Sequence, residues 1–110
     1  MTDNKELILY VDDEQKNLDS FKVLFRKDYD IKLAASAVEG MQIMDQKDVK
    51  LVITDQRMPN MTGVEFLEKI SDIYPDVTRV ILTGYSDEEA IISAINKGKV
   101  FRYITKPWKR

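Results

Sequence analysis

Five short strand-like segments, the first four each followed by a stretch of helical spacing, decide what this chain can fold into. The first, Leu7-Ile-Leu-Tyr-Val11, is continuous and ends in Asp12-Asp13-Glu14. A run without polar alternation reads as a strand buried on both faces, here stopping at an acidic lip. Leu18, Phe21, Leu24 and Phe25 then recur at helical spacing to about residue 27. Asp30 to Ala35 is a second short strand. Ser36 with Glu39 three residues on has the form of a capping box, opening a helix with Ala37, Met41 and Met44 on one face. Leu51-Val-Ile-Thr54 is the third strand, with Asp55 at its C-terminal end. The loop from Gln56 to Gly63 follows, punctuated by Pro59 and Gly63. Phe66, Leu67, Ile70 and Ile73 form a helical stripe that ends before Pro75. Thr78 to Thr83 is the fourth strand. Ser86 and Glu89 suggest another capping box, on a helix that closes at Gly98 as its C′ residue. Val100 to Thr105 is the fifth strand, followed by Lys106-Pro107-Trp108.

Strands alternating with helices imply an α/β fold: a parallel sheet with right-handed crossovers and helices on both faces. With 110 residues there is room for one core, so residues 1–110 are expected to form one domain. A fifth helix would complete the layers, and the chain reaches Arg110 before one could form. The fifth helix is therefore expected to be missing or truncated, as in the N-terminal part of a longer protein.

Composition removes much chemistry. There is no cysteine, hence no disulfide, thiolate nucleophile or zinc–thiolate site. There is no histidine, which excludes a Ser-His-Asp triad, imidazole metal ligands and a phosphohistidine of the chain's own. The four glycines make no phosphate-cradling loop. A net charge of −2 supplies no field to draw the domain onto nucleic acid or an anionic membrane. The N-terminus is polar and no apolar run is long enough to span a bilayer, so cytoplasmic residence is the default expectation.

In an open parallel sheet, ligands bind outside the carboxyl ends of the strands. Strand one brings Asp12 and Asp13 to that rim, strand three Asp55, strand four Thr83 and strand five Lys106. Singly, each has a bland explanation: acids cap helix N-termini, a threonine ends a strand, a lysine is solvated. Their joint placement, each at the same end of its own strand, argues for a site. Two like charges ~4 Å apart repel by about 4 kcal/mol at an effective dielectric of 20. Three carboxylates at one rim therefore call for a cation, and oxygen ligands alone point to Mg²⁺, with Mn²⁺ as a substitute. A site that keeps waters can exchange them for phosphoryl oxygens. Lys106 and Thr83 stand where they could contact the same oxygens, and the available nucleophile is a carboxylate.

Val11-Asp-Asp-Glu14, Thr54-Asp-Gln-Arg-Met-Pro59 with Gly63, Leu82-Thr-Gly84 and Tyr103-Ile-Thr-Lys-Pro107 together resemble the receiver domain of two-component response regulators, in the family's order and spacing. The likeness covers essentially the whole chain. It implies a flavodoxin-like, doubly wound five-stranded sheet of order 2-1-3-4-5, and a phosphorylation-activated switch rather than a stand-alone enzyme. Asp55 would accept a phosphoryl group from a histidine kinase or phosphotransfer protein. Asp13, Asp55 and the main-chain carbonyl of Arg57 would hold Mg²⁺, with Asp12 acting through water. Thr83 and Lys106 would contact the phosphoryl group, Lys106–Pro107 would be a cis peptide, and Tyr103 would be the switch aromatic. Arg57 and Tyr85 match the two positions that tune phosphoryl lifetime, and both are large, which implies a half-life of minutes or longer. Signal would pass to a C-terminal output domain or effector protein. The missing fifth helix should leave apolar surface exposed beside Leu18, Phe21 and Phe25, which would favour a non-native or swapped association of the isolated chain, a dimer among them.

Two rivals remain open at this point. A phosphohydrolase with an aspartyl-phosphate intermediate usually carries a general acid two residues after the nucleophile, where this chain has Arg57. An interaction module that is never phosphorylated would not need every one of the matched site residues.

Overall fold

The computed structural model describes residues 5–83, 88–98, 100 and 102–105, with the side chains of 88, 90 and 102–105 outside that description. Its elements are β1 (Leu7–Val11), α1 (Gln15–Phe25), β2 (Asp30–Ala34), α2 (Ala37–Gln46), β3 (Leu51–Asp55), α3 (Gly63–Ile73), β4 (Thr78–Thr83), α4 (Glu88–Asn96) and β5 (Arg102–Thr105). The strands form one sheet of order β2-β1-β3-β4-β5, parallel at every pairing. The expected α/β architecture and strand order are thus both present.

Continuous apolar runs become central strands because both of their faces are covered. Leu9, Val11, Val52 and Ile81 point to one side and pack with Met44, Phe66, Leu67, Ile70 and Ile91, which come from α2, α3 and α4. Ile8, Tyr10, Ile53, Val80 and Leu82 point to the other side, against Leu18 and Phe21 of α1. Full burial of a Leu, Ile or Phe side chain stabilises by about 1.5–3 kcal/mol. These stripes, more than helix propensity, therefore hold the helices to the sheet.

Leu18 and Phe21 are 3% and 4% exposed and Phe25 is half-buried, while Val23 and Leu24 beside them on α1 are exposed. Tyr10 stacks on Phe21 with ring centroids 4.4 Å apart, and Phe21 meets Phe25 at 4.8 Å. The rings of α1 cover one another and the strand beneath.

Helix ends follow the sequence signals in part. The Ser36 hydroxyl caps α2 by accepting from the Glu39 N–H at 3.2 Å, but the Glu39 carboxylate reaches back one residue further than expected, to the Ala35 N–H at 2.8 Å. The complete capping box lies instead on α3, between Thr62 and Glu65. Gly98 has φ +77°, the left-handed conformation expected after the end of α4. Ser86, of the other anticipated capping box, lies outside the described residues. Arg79, near the start of β4, donates to the carbonyls of Pro75, Val77 and Gly98, tying the segment after α4 to the one after α3.

Candidate functional site

Register brings the acids together. Val11 pairs with Thr54 across β1 and β3, so Asp12 and Asp55, each one residue further on, leave the sheet side by side. Asp55 pairs with Leu82 of β4, which puts Thr83 next along the same rim. One carboxylate oxygen from each of Asp12, Asp13 and Asp55 lies within 4.8 Å of the others. Asp12 and Asp55 are 0% and 5% exposed, and Asp13 faces solvent. The donor set is oxygen only, so the residues present fit a hard metal ion.

Asp12 is held from several sides. Its Oδ2 accepts from the Tyr10 hydroxyl at 2.6 Å and from Asn17 Nδ2 at 3.0 Å, and its Oδ1 accepts from the Glu14 backbone N–H at 3.0 Å. Burial pushes the Tyr10 phenol well up from its ordinary pKa, and the bond to Asp12 pushes it the same way. The phenol is therefore a proton donor, not a phenolate, across the physiological range.

Asp55 is positioned by its backbone. Gln56 N–H donates to the Leu82 carbonyl at 3.0 Å, extending the sheet by one residue. The loop then returns so closely that Gly63 N–H donates to the Gln56 carbonyl at 2.9 Å and Val64 N–H to Gln56 Oε1 at 2.9 Å. A Cβ at position 63 would stand 2.4 Å from the Asp55 carbonyl oxygen, so only glycine fits there. Between these points Asn60 turns the chain at φ 71°, a conformation that asparagine tolerates better than most side chains. Thr54 Oγ1 donates to the Asp55 carbonyl at 3.0 Å, and both residues are buried.

The structure thus brings together Asp12, Asp13 and Asp55, with Thr83 buried at the end of the neighbouring strand and Arg57 exposed on the loop. Tyr103 lies in β5 opposite Ile81, while its side chain, together with Tyr85, Lys106 and Pro107, lies outside the described residues. Sequence reasoning did not single out Tyr10, Asn17 or Gln56. A tyrosine inside a strand buried on both faces must find a partner for its hydroxyl, and that signal could have pointed from Tyr10 to Asp12.

A family model described as the response regulator receiver domain matches residues 8–110. The hydrogenase transcriptional regulatory protein HoxA of Cupriavidus necator is 34% identical over 108 residues, which is 98% of this chain and 22% of that protein. Its counterpart in Bradyrhizobium diazoefficiens is 35% identical over 102 residues, 93% of this chain and 21% of that protein. The chain therefore spans about a fifth of the length of these relatives. Among solved structures, the signal receiver domain of an HD domain-containing protein from Pseudomonas fluorescens aligns with a TM-score of 0.89 at 34% identity, covering 96% of this chain and 86% of that one. A CheY-like response regulator receiver domain protein from Methanospirillum hungatei aligns equally well, at 32% identity over 96% of this chain and 85% of that one.

Proposed function

The chain belongs to the response regulator receiver domain family of two-component signalling, and from that premise we propose that Asp55 is its phosphoryl acceptor. In this reading an Asp55 carboxylate oxygen attacks the phosphorus of a phosphohistidine on a kinase or phosphotransfer protein. A new O–P bond forms as the N–P bond breaks, and the released imidazole stays with the donor protein. The chain's own lack of histidine fits an external donor.

Asp13, Asp55 and the Arg57 carbonyl would hold Mg²⁺, or Mn²⁺ in its place, and Asp12 would contact it through water. The bound ion would offset the charge on the transferring phosphoryl oxygens. Lys106 and Thr83 would take up the remaining phosphoryl oxygens. Phosphorylation replaces a charge near −1 by roughly −2 and adds acceptor oxygens. Thr83 would be drawn toward them, and the population of the α4–β5 face, with Tyr103, would shift. The observation that carries this reading is the convergence of three carboxylates with Asp55 at the end of the central strand.

Residues 1–110 would act as one receiver unit, relaying the change to an output region or effector protein rather than turning over a substrate of its own. The small share of each regulator that this chain covers supports that arrangement. Among the described residues, no helix is long and apolar enough to cross a membrane.

The test is to incubate the protein with Mg²⁺ and a small phosphodonor and to map the modified residue by mass spectrometry. One phosphoryl group at Asp55 is expected, and Asp55→Asn should not label. Stoichiometric labelling of Asp55→Asn would refute the assignment. Many turnovers of a small phosphoester would instead favour a phosphohydrolase, and no labelling of the wild type would favour a pure interaction module.

A further inference from the structure

Asp12 is fully buried, and its Oδ2 receives two protein donors that come from different elements. The Tyr10 hydroxyl reaches it at 2.6 Å from within β1, and Asn17 Nδ2 reaches it at 3.0 Å from the first turn of α1. With the Glu14 N–H on Oδ1, the carboxylate is gripped on both oxygens and its plane is fixed. A carboxylate that holds a cation's water in one set orientation loses less freedom on binding than one that must first be ordered.

The Tyr10 hydroxyl is itself placed by packing. The ring is 0% exposed, lies in the α1-side core, and stacks on Phe21 at 4.4 Å with an interplanar angle of 26°. Neighbouring positions on this face of the sheet, Ile8, Ile53, Val80 and Leu82, are aliphatic. Tyr10 is the member of this core that carries a polar atom, and it directs that atom to the acid rim. A phenylalanine would fill the same volume, so packing alone does not account for the hydroxyl.

We propose that Tyr10, assisted by Asn17, is a positioning residue that orients Asp12 for the divalent cation and thereby sets cation affinity. The inference rests on the cation reading of the acid cluster. Groups that hydrogen-bond to metal-site carboxylates typically change metal affinity 10–100-fold when removed. Tyr10→Phe deletes one of several donors and keeps the ring, so the lower end applies, a loss of about tenfold.

The experiment is a calorimetric titration of the 110-residue chain with Mg²⁺, for wild type, Tyr10→Phe and Asn17→Ala. It is paired with the NMR resonance of the side-chain carboxyl carbon of Asp12, using that of Asp13 as reference. Both variants are expected to bind Mg²⁺ about tenfold more weakly. Without Mg²⁺, the Asp12 resonance should move and that of Asp13 should hold. Should Tyr10→Phe fail to fold, Asn17→Ala carries the test alone, because Asn17 is only half-buried. Affinity within twofold of wild type overturns the inference, and so does weaker binding with an unmoved Asp12 resonance. A wild type that binds no Mg²⁺ removes the cation reading itself, a different failure that takes this inference with it.

Discussion

Replacing Gly63 by alanine sets two opposed effects against each other, and the geometry decides between them. Gly63 is the first residue of α3, where alanine would gain helix propensity and reduce unfolded-chain entropy by about 1 kcal/mol together. Against this, the new Cβ would lie 2.4 Å from the Asp55 carbonyl oxygen, 3.0 Å from Gln56 Cα and 3.1 Å from the Asp55 carbonyl carbon. A carbon and a carbonyl oxygen ordinarily rest about 3.3 Å apart, so something must move by roughly 1 Å. Asp55 and Gln56 are paired with Leu82 of β4, so it is the start of α3 that gives way. That loosens the bonds from Gly63 N–H and Val64 N–H to Gln56, at about 0.5–1.5 kcal/mol each. Adding overpacking of about 1–3 kcal/mol and subtracting the gain of about 1 kcal/mol, the net loss is about 1–5 kcal/mol. At about 4 °C per kcal/mol that is a fall in Tm of roughly 4–20 °C. Urea and thermal unfolding measure the loss directly. The loop that joins Gln56 to Gly63 would shift with the start of α3 and carries the Arg57 carbonyl proposed for the cation; a misplacement of ~1 Å can cost about 10²-fold in rate, so labelling of Asp55 by a phosphodonor should slow as well. Gly98→Ala is the control. Its φ of +77° strains alanine by about 1 kcal/mol or more, but among the described residues nothing lies within 4 Å of the added carbon and labelling should be unchanged. A Gly63→Ala protein as stable as wild type would refute this close approach of α3 to Asp55.

Two further outcomes are expected. The Thr62 backbone N–H, and then its hydroxyl, hold the Glu65 carboxyl below its ordinary pKa. The stability this gives is complete above the ordinary glutamate value and is lost as the pH falls through the lower folded one. Glu65→Gln should therefore flatten the acid limb of the stability profile in that window, and an unchanged limb in chemical denaturation would contradict the capping box. If Arg57 and Tyr85 hinder the attacking water, phosphorylated wild type should persist for minutes or longer and Arg57→Ala with Tyr85→Ala should shorten that. Hydrolysis of the wild type within seconds would contradict this account.

The elements were legible because the central strands β1 and β3 are runs of mostly apolar residues and the helices carry 3.6-residue stripes, patterns that burial forces on a sheet covered on both faces. Ser36 and Gly98 marked helix ends correctly, since a cap and a left-handed residue are local requirements. The Thr62-Gly-Val-Glu65 box was written as plainly as Ser36…Glu39, yet Pro59 and Gly63 made the stretch read as loop alone. Glu39 shows the limit of the pattern: the same spacing let its carboxylate reach Ala35 instead of Ser36. The acid rim was readable from strand ends. How Asp12 is held was not, because its grip combines a hydroxyl inside a strand with an amide on the following helix.

The parallel register also governs the order in which the molecule can assemble. No pair of neighbouring strands can close as a hairpin: Ile8 must find Leu51, and Leu51 must find Thr78, each across an intervening helix or more. Such non-local pairings are slow because chain closure precedes any reward. Asp55 is a stranger to the adjacent pair Asp12 and Asp13 until β1 and β3 meet, so its repulsion with them falls on that docking step and is absent from the unfolded chain. A divalent cation that recognises the cluster would recognise the native state alone. It would raise the melting temperature by mass action, with little hold on any earlier species along the folding route.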